Sequence, residues 1–310
     1  MIRVVFFGTP SFSIPFLRAL LEDPTFEVIA TVTRPDEEAG RNHVLTAPPI
    51  KIAAAAAGIP TFQPTMLKSD DARETLRAMR ADVFIVFAYG RIIPKAILDL
   101  PRFGCVNVHP SLLPKYRGPS PMQSAIQNGD AKTGISIMLL DEGMDTGPLL
   151  SSVNIGLDDN ETIETLTKKV EEQGPGLLVE TIKRLAAGEI VPMAQDNAQA
   201  TICKSLDRED GHIDWNRSLA HIERMTRAYK GWPGTWTTWN GLRLKIQEVA
   251  EADFNADLPP GTVSVKHNQL FVDCADGTLE ILTLQPEGKP KMTAEAFLRG
   301  YSTIDTAVLT

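Results

Sequence analysis

The chain is short of cysteine, of long apolar runs and of excess positive charge, and each shortage removes a class of function. Its 310 residues include three cysteines, Cys105, Cys203 and Cys274. They are odd in number, far apart and form no CxxC pair. That excludes a disulfide framework and a cysteine-rich zinc site, and it fits a reducing compartment. No segment approaches the roughly 20 apolar residues of a membrane span. The opening run Ile2 to Phe7 stops at Gly8-Thr9-Pro10, too short for the apolar region of a signal peptide. A cytoplasmic protein with no membrane partner is expected. The net charge of -8 opposes broad affinity for polyanions, so a nucleic acid would have to meet a local basic patch. No internal repeat or low-complexity tract is present. No GxGxxG follows the first apolar run, so no dinucleotide is expected.

What is present suits a soluble globular chain of two domains, with 43% hydrophobic and 23% charged residues. Ile2 to Phe7 reads as a buried strand of a parallel sheet. A helix follows from Ser13 to Glu22 with Phe16, Leu17, Leu20 and Leu21 on one side, then a strand from Phe26 to Val32. Thr33 to Pro49 is a long polar connection, the kind that is functional or disordered. Pro49 opens a helix that Gly58 stops. Further strands are expected at Ile59 to Phe62, Asp82 to Phe87, Gly134 to Leu140 and, at an edge, Leu149 to Ile155. Helices are expected at Asp70 to Arg80, Pro119 to Asn128 and about Thr162 to Ala187, the last with Gly174-Pro175-Gly176 as a candidate break. The fold class is α/β with a mostly parallel sheet. From Gly188 to about Ser205 the pattern loosens into a linker. Beyond it come a helix from Leu219 to Tyr229 and short alternating runs at Arg243 to Val249, Thr262 to Val265, Gln269 to Cys274 and Leu279 to Leu284. These suggest a small antiparallel barrel.

The chemistry gathers around Gly104 to Gly118. Side chains alternate along a strand, so Asn107 and His109 share one face and Val106 and Val108 the other. A lone histidine there would be a loop cap; a pair leaving the carboxyl end of a strand marks where open α/β sheets bind ligands. Three strand-end loops are expected to converge: Phe87 to Arg91, Asn107 to Gly118 and Asp141 to Gly147. Asn107 offers an amide N–H to a developing oxyanion, and His109 titrates near neutrality. Asp145 is a turn residue taken alone, but beside these two it would orient the imidazole or relay a proton. No serine or cysteine is placed as a nucleophile, although Cys105 shares the Asn107 face. An oxyanion donor and a base without a nucleophile suit direct attack by a substrate amine on an acyl carbon. Asp141, Glu142, Asp145 and His109 match no metal-site spacing, so no metal is expected.

Asn107-Val108-His109 with Ser111-Leu112-Leu113-Pro114-Lys115-Tyr116-Arg117-Gly118, followed by Asp141-Glu142-Gly143-Met144-Asp145-Thr146-Gly147, resembles the formyltransferase family that uses 10-formyltetrahydrofolate. The resemblance puts that family's catalytic Asn, His and Asp on Asn107, His109 and Asp145. Phe7-Gly8-Thr9-Pro10, Arg34-Pro35-Asp36, Ala39-Gly40-Arg41, Ala88-Tyr89-Gly90, Ile213-Asp214-Trp215 and Trp232-Pro233 resemble the branch that formylates methionyl-tRNA, over nearly the full length. It implies a Rossmann-like catalytic domain over 1–188, a linker over 189–205 and an OB-like tRNA-binding domain over 206–310. It implies 10-formyltetrahydrofolate as co-substrate, beside Ser111, Leu112, Leu113 and Pro114, with Phe87, Ala88, Tyr89, Gly90, Leu139 and Asp141 lining the pterin pocket. The implied acceptor is initiator methionyl-tRNA, its acceptor end met by the loop holding Arg34, Arg41 and His43. Phosphate contacts are assigned to Lys204, Arg208, Lys230, Arg243 and Lys245, and the protein is expected to be a monomer. Pro110 and the lysine-poor Asn42-His43-Val44-Leu45 depart from the family pattern. The rival readings are a formyltransferase for a sugar-nucleotide amine and a non-catalytic RNA-binding barrel, the second of which leaves Asn107, His109 and Asp145 without a purpose.

Overall fold

The computed structural model describes residues 1–39 and 43–310. The chain divides into two compact units, Met1–Pro121 with Lys132–Gly156 and Thr167–Cys203, and Met122–Ala131 with Leu157–Leu166 and Lys204–Thr310.

The first unit opens with β1 (Ile2–Gly8), α1 (Ile14–Glu22) and β2 (Phe26–Val32). Val4 to Phe7 are wholly buried, as a strand covered on both faces requires. In α1, Phe16, Leu17 and Leu20 are buried, whereas Leu21, expected on the same side, is exposed. The connection expected to lack structure holds a small hairpin, β3 (Glu37–Ala39) against β4 (Val44–Thr46). Neither strand has an alternating apolar pattern, so periodicity gives no sign of it. Then come α2 (Pro49–Ala56), β5 (Thr61–Phe62), α3 (Asp70–Ala78), β6 (Val83–Phe87), α4 (Lys95–Leu98) and β7 (Cys105–His109). Ser69 caps α3 by accepting from the N–H of Ala72, and Asp70 and Asp71 face its positive end.

Next are α5 (Pro121–Gln127), β8 (Lys132–Leu139), β9 (Leu149–Gly156) and α6 (Ile163–Ala186). The candidate break does not occur: α6 runs through Pro175. Gly174 explains part of the sequence there, because a Cβ would stand 2.3 Å from the Phe16 ring. The sheet order is β5-β2-β1-β6-β7-β8-β9. The pairings from β5 to β7 are parallel, but β8 runs antiparallel to both neighbours.

The second unit holds nearly all of α5, the first turn of α6, and then α7 (Leu219–Ala228), β10 (Thr235–Trp239), β11 (Leu242–Glu251), β12 (Val263–Lys266), β13 (Gln269–Asp273), β14 (Thr278–Pro286), β15 (Met292–Thr293) and α8 (Ala294–Leu298). All its strand pairings are antiparallel, in the order β10-β11-β14-β13-β12. The C-terminal segment closes the sheet. Val263 N donates to Ala307 O on one side, and Thr238 and Thr310 exchange both backbone bonds on the other, at 2.6 and 3.0 Å. Trp215, Trp239, Leu244, Val263 and Phe297 fill its core.

Candidate active site

His109 closes β7, with Asn107 two residues earlier on the same face, and both are buried. They meet one carboxylate. Asn107 Nδ2 donates to Asp145 Oδ1 at 3.5 Å, and His109 Nδ1 lies 3.6 Å from Asp145 Oδ2. The N–H of Gly118 donates to the same Oδ2 at 2.8 Å. Gly118 has φ +122°, and a Cβ would stand 2.2 Å from the Cys203 carbonyl oxygen, so the residue that supplies this donor must be glycine.

The other ring nitrogen fixes the tautomer. His109 Nε2 lies 2.9 Å from the Tyr116 carbonyl, which only accepts, so Nε2 carries the hydrogen. In the neutral ring Nδ1 therefore presents its lone pair beside Asp145. Burial pushes the His109 pKa below its ordinary value of 6.5, while the Asp145 carboxylate and the Tyr116 carbonyl pull the other way. The imidazole is neutral at neutral pH, with Nδ1 as its basic atom.

The carboxylate does not come from the sheet edge that the sequence pattern implies. Because β8 is antiparallel, the loop after it leaves beside the start of β7, where Leu140 N donates to Cys105 O at 2.8 Å. It then folds back. A Cβ on Gly147 would stand 1.9 Å from Leu139 O, and Asp145 itself adopts φ 54°. Leu139 and Asp141 line a cavity of about 530 Å³ with Leu98, Gly104 and Cys105. Burial raises the Cys105 thiol pKa far above its ordinary value, so this cysteine lines the cavity as a neutral apolar group.

Ser111 to Pro114 are held against β8: Ser136 Oγ donates to Ser111 O at 2.7 Å and accepts from Leu113 N at 3.1 Å. Phe87 to Gly90 lie toward β1, where Ser13 Oγ donates to Phe87 O and Thr9 Oγ1 to Tyr89 O. Tyr89 is buried edge-on to Phe7, so this loop presents backbone rather than its aromatic ring. The sequence reading missed Tyr116, Arg117, Gln195 and Thr201. Gln195 and Thr201 sit in the segment read as a linker and bond to the Asp145 loop and the Tyr116 backbone. Their one sequence signal is a long stretch without periodicity, the pattern that marks functional segments as well as linkers.

The basic residues are scattered. Arg34 pairs with Glu37 and His43 with Glu38 in the first unit, and Arg41 lies outside the described residues. In the second unit Lys204 pairs with Asp210 and Lys230 with Glu164. The Arg208 carbonyl accepts from Trp236 Nε1, Arg243 lies 3.9 Å over the Trp236 ring and Lys245 faces Trp236 in the β10–β11 register. Among the described residues no group of three or more His, Cys, Asp and Glu is placed to hold a metal, and no helix is long and apolar enough to cross a membrane.

Residues 2–182 match the family model described as formyl transferase, and residues 205–302 match that of the formyl transferase C-terminal domain. The chain belongs to the formyl transferase family. One family member, the methionyl-tRNA formyltransferase of Chloroflexus aggregans, is 43% identical over 96% of this chain and 97% of its own. Two solved structures share the fold. HypX from Aquifex aeolicus in complex with tetrahydrofolic acid superposes at TM-score 0.65 with 15% identity, over 96% of this chain and 47% of that one, so this chain spans about half of HypX. An N-formyltransferase from Helicobacter canadensis in complex with folinic acid and dTDP-3-aminofucose superposes at 0.68 with 17% identity, over 94% of this chain and 100% of that one.

Proposed function

We propose that the chain transfers the formyl group of 10-formyltetrahydrofolate to the α-amino group of methionine carried by initiator tRNA, in the cytoplasm and as a monomer. The observation that carries this reading is the meeting of Asn107 and His109 at the Asp145 carboxylate. The name of the relative that is 43% identical supports methionyl-tRNA as the acceptor. The catalytic domain is assigned to 1–188, the linker to 189–205 and tRNA binding to 206–310.

In the reaction the acceptor amine attacks the formyl carbon directly. Asn107 Nδ2 has a second hydrogen, beyond the one aimed at Asp145, for the formyl oxygen as charge develops on it. His109 Nδ1 takes the proton from the attacking nitrogen. Asp145 stabilises the imidazolium, which returns the proton to the departing N10 as the C–N10 bond breaks. The cavity beside Cys105 has the volume of a small-molecule site, and its apolar Leu98 and Leu139 with the Asp141 carboxylate suit a flat heterocycle bearing ring N–H groups. Ser111 to Pro114 and Phe87 to Gly90 are assigned to folate as well. Arg34, Arg41 and His43 are assigned to the acceptor end, and Lys204, Arg208, Lys230, Arg243 and Lys245 to phosphates.

Turnover with charged initiator tRNA and 10-formyltetrahydrofolate tests the assignment. Asn107→Ala and His109→Ala are expected to lower it by roughly 10²- to 10³-fold in folded protein, and wild-type rates in both would end the reading. The second reading, a sugar-nucleotide amine as acceptor, is favoured by the Helicobacter canadensis likeness. Offering both acceptors side by side separates the two.

A further inference from the structure

We infer that Gln195 and Arg117 are positioning residues for Asp145, holding the main chain at Asp145 and two residues beyond it so that the carboxylate faces Asn107 and His109. The inference rests on the reading of Asp145 given above. Gln195 Nε2 donates to the carbonyls of Asp145, at 2.9 Å, and of Gly147, at 2.7 Å. Its Oε1 accepts from Arg117 Nε at 3.0 Å and from a terminal nitrogen of the same guanidinium at 2.8 Å. Chemistry leaves this amide one orientation, because carbonyls only accept and a guanidinium only donates. The forked contact also fixes the amide plane, which a point-like ammonium would not.

The clamp is itself anchored. Met193 and Leu149 exchange both backbone bonds, at 2.8 and 2.9 Å. Thr201 Oγ1 accepts from Tyr116 N at 2.8 Å, and Asn197 Oδ1 accepts a further Arg117 hydrogen at 2.8 Å. The residue it steadies needs steadying. Asp145 sits at φ 54°, a conformation that persists in a side-chain-bearing residue when its surroundings over-determine it. Glu142 and Met144 on the same loop are exposed, so packing does not hold the loop from outside. Arg117 also joins the two halves of the site, since Tyr116, its neighbour, supplies the carbonyl that fixes the His109 tautomer.

The test is Gln195→Ala in the full chain. Turnover is expected to fall roughly 10- to 100-fold with KM held, the cost of a carboxylate displaced by about an ångström. The His109 ring titration, followed by NMR, should shift in the same direction as in Asp145→Asn. In the double variant the loss should be that of Asp145→Asn alone. Gln195→Glu keeps the acceptor for Arg117 but removes both donors, so it should show the same turnover loss even if the alanine variant does not fold. Wild-type turnover with an unmoved His109 titration, or losses that multiply in the double variant, would overturn the positioning role and leave Asp145 its own. Wild-type turnover in Asp145→Asn would overturn both.

Discussion

At His109 one ring serves two neighbours of different kinds. The Tyr116 carbonyl takes the Nε2 hydrogen, and what remains at Nδ1 is a lone pair 3.6 Å from a carboxylate. That arrangement is poor for the neutral ring and good for the imidazolium, which is the preference a base in an acyl transfer needs. Burial still dominates, so an NMR titration of His109 should give a pKa below 6.5. Asp145→Asn removes a charge that raises this value and should lower it further. The same shift affects stability. As pH falls, the unfolded imidazole is protonated first, so this contribution is full above 6.5 and disappears on acidification. Replacing His109 by Gln, which keeps an N–H for the Tyr116 carbonyl, should flatten the fall in Tm between about pH 7 and about pH 5.

Two glycines two residues apart in α6 face opposite circumstances. Gly174 lies against Phe16, where an added Cβ would stand 2.3 Å from the ring, and Phe16 is fully buried. Gly176 has nothing within 4 Å of the same position. Gly174→Ala should therefore cost about 1–3 kcal/mol through overpacking. Gly176→Ala should stabilise by about 0.5–1 kcal/mol, since it restricts the unfolded chain and meets nothing in the folded one. Thermal denaturation of the two variants gives the signs. Helix α6 also shows where local rules stop. Gly-Pro-Gly reads as a break in isolation, and only the rest of the helix on either side carries the chain through it.

Across the whole molecule all four tryptophans, Trp215, Trp232, Trp236 and Trp239, lie in the Lys204–Thr310 part of the second unit. Tryptophan emission therefore reports on that unit alone. Deleting 306–310 removes the segment bonded to both Val263 and Thr238 and should lower the emission-detected unfolding midpoint. For tRNA, the affinity should weaken with salt despite the net charge of -8, and removing one of the cations proposed for phosphates, as in Arg243→Ala, should reduce the slope of log K on log salt by about 1. How much of the molecule is legible in its sequence follows from the range of each signal. Buried strands such as β1 and β6 are continuous apolar runs, and strand alternation alone places Asn107 and His109 on one face, because both depend on neighbouring residues. An apolar run reads the same in either direction, so the reversal of β8, and with it the route of Asp145 to the pair, was decided only by tertiary pairing. Gln195 and Arg117 act on Asp145 through hydrogen bonds between distant parts of the chain, and the Tyr116 carbonyl reaches His109 across a turn of the loop between them. The sequence by itself determined which residue types could perform the chemistry; only the folded backbone determined which atoms of those residues face one another, because a hydrogen bond depends on position in space and leaves no period in the chain.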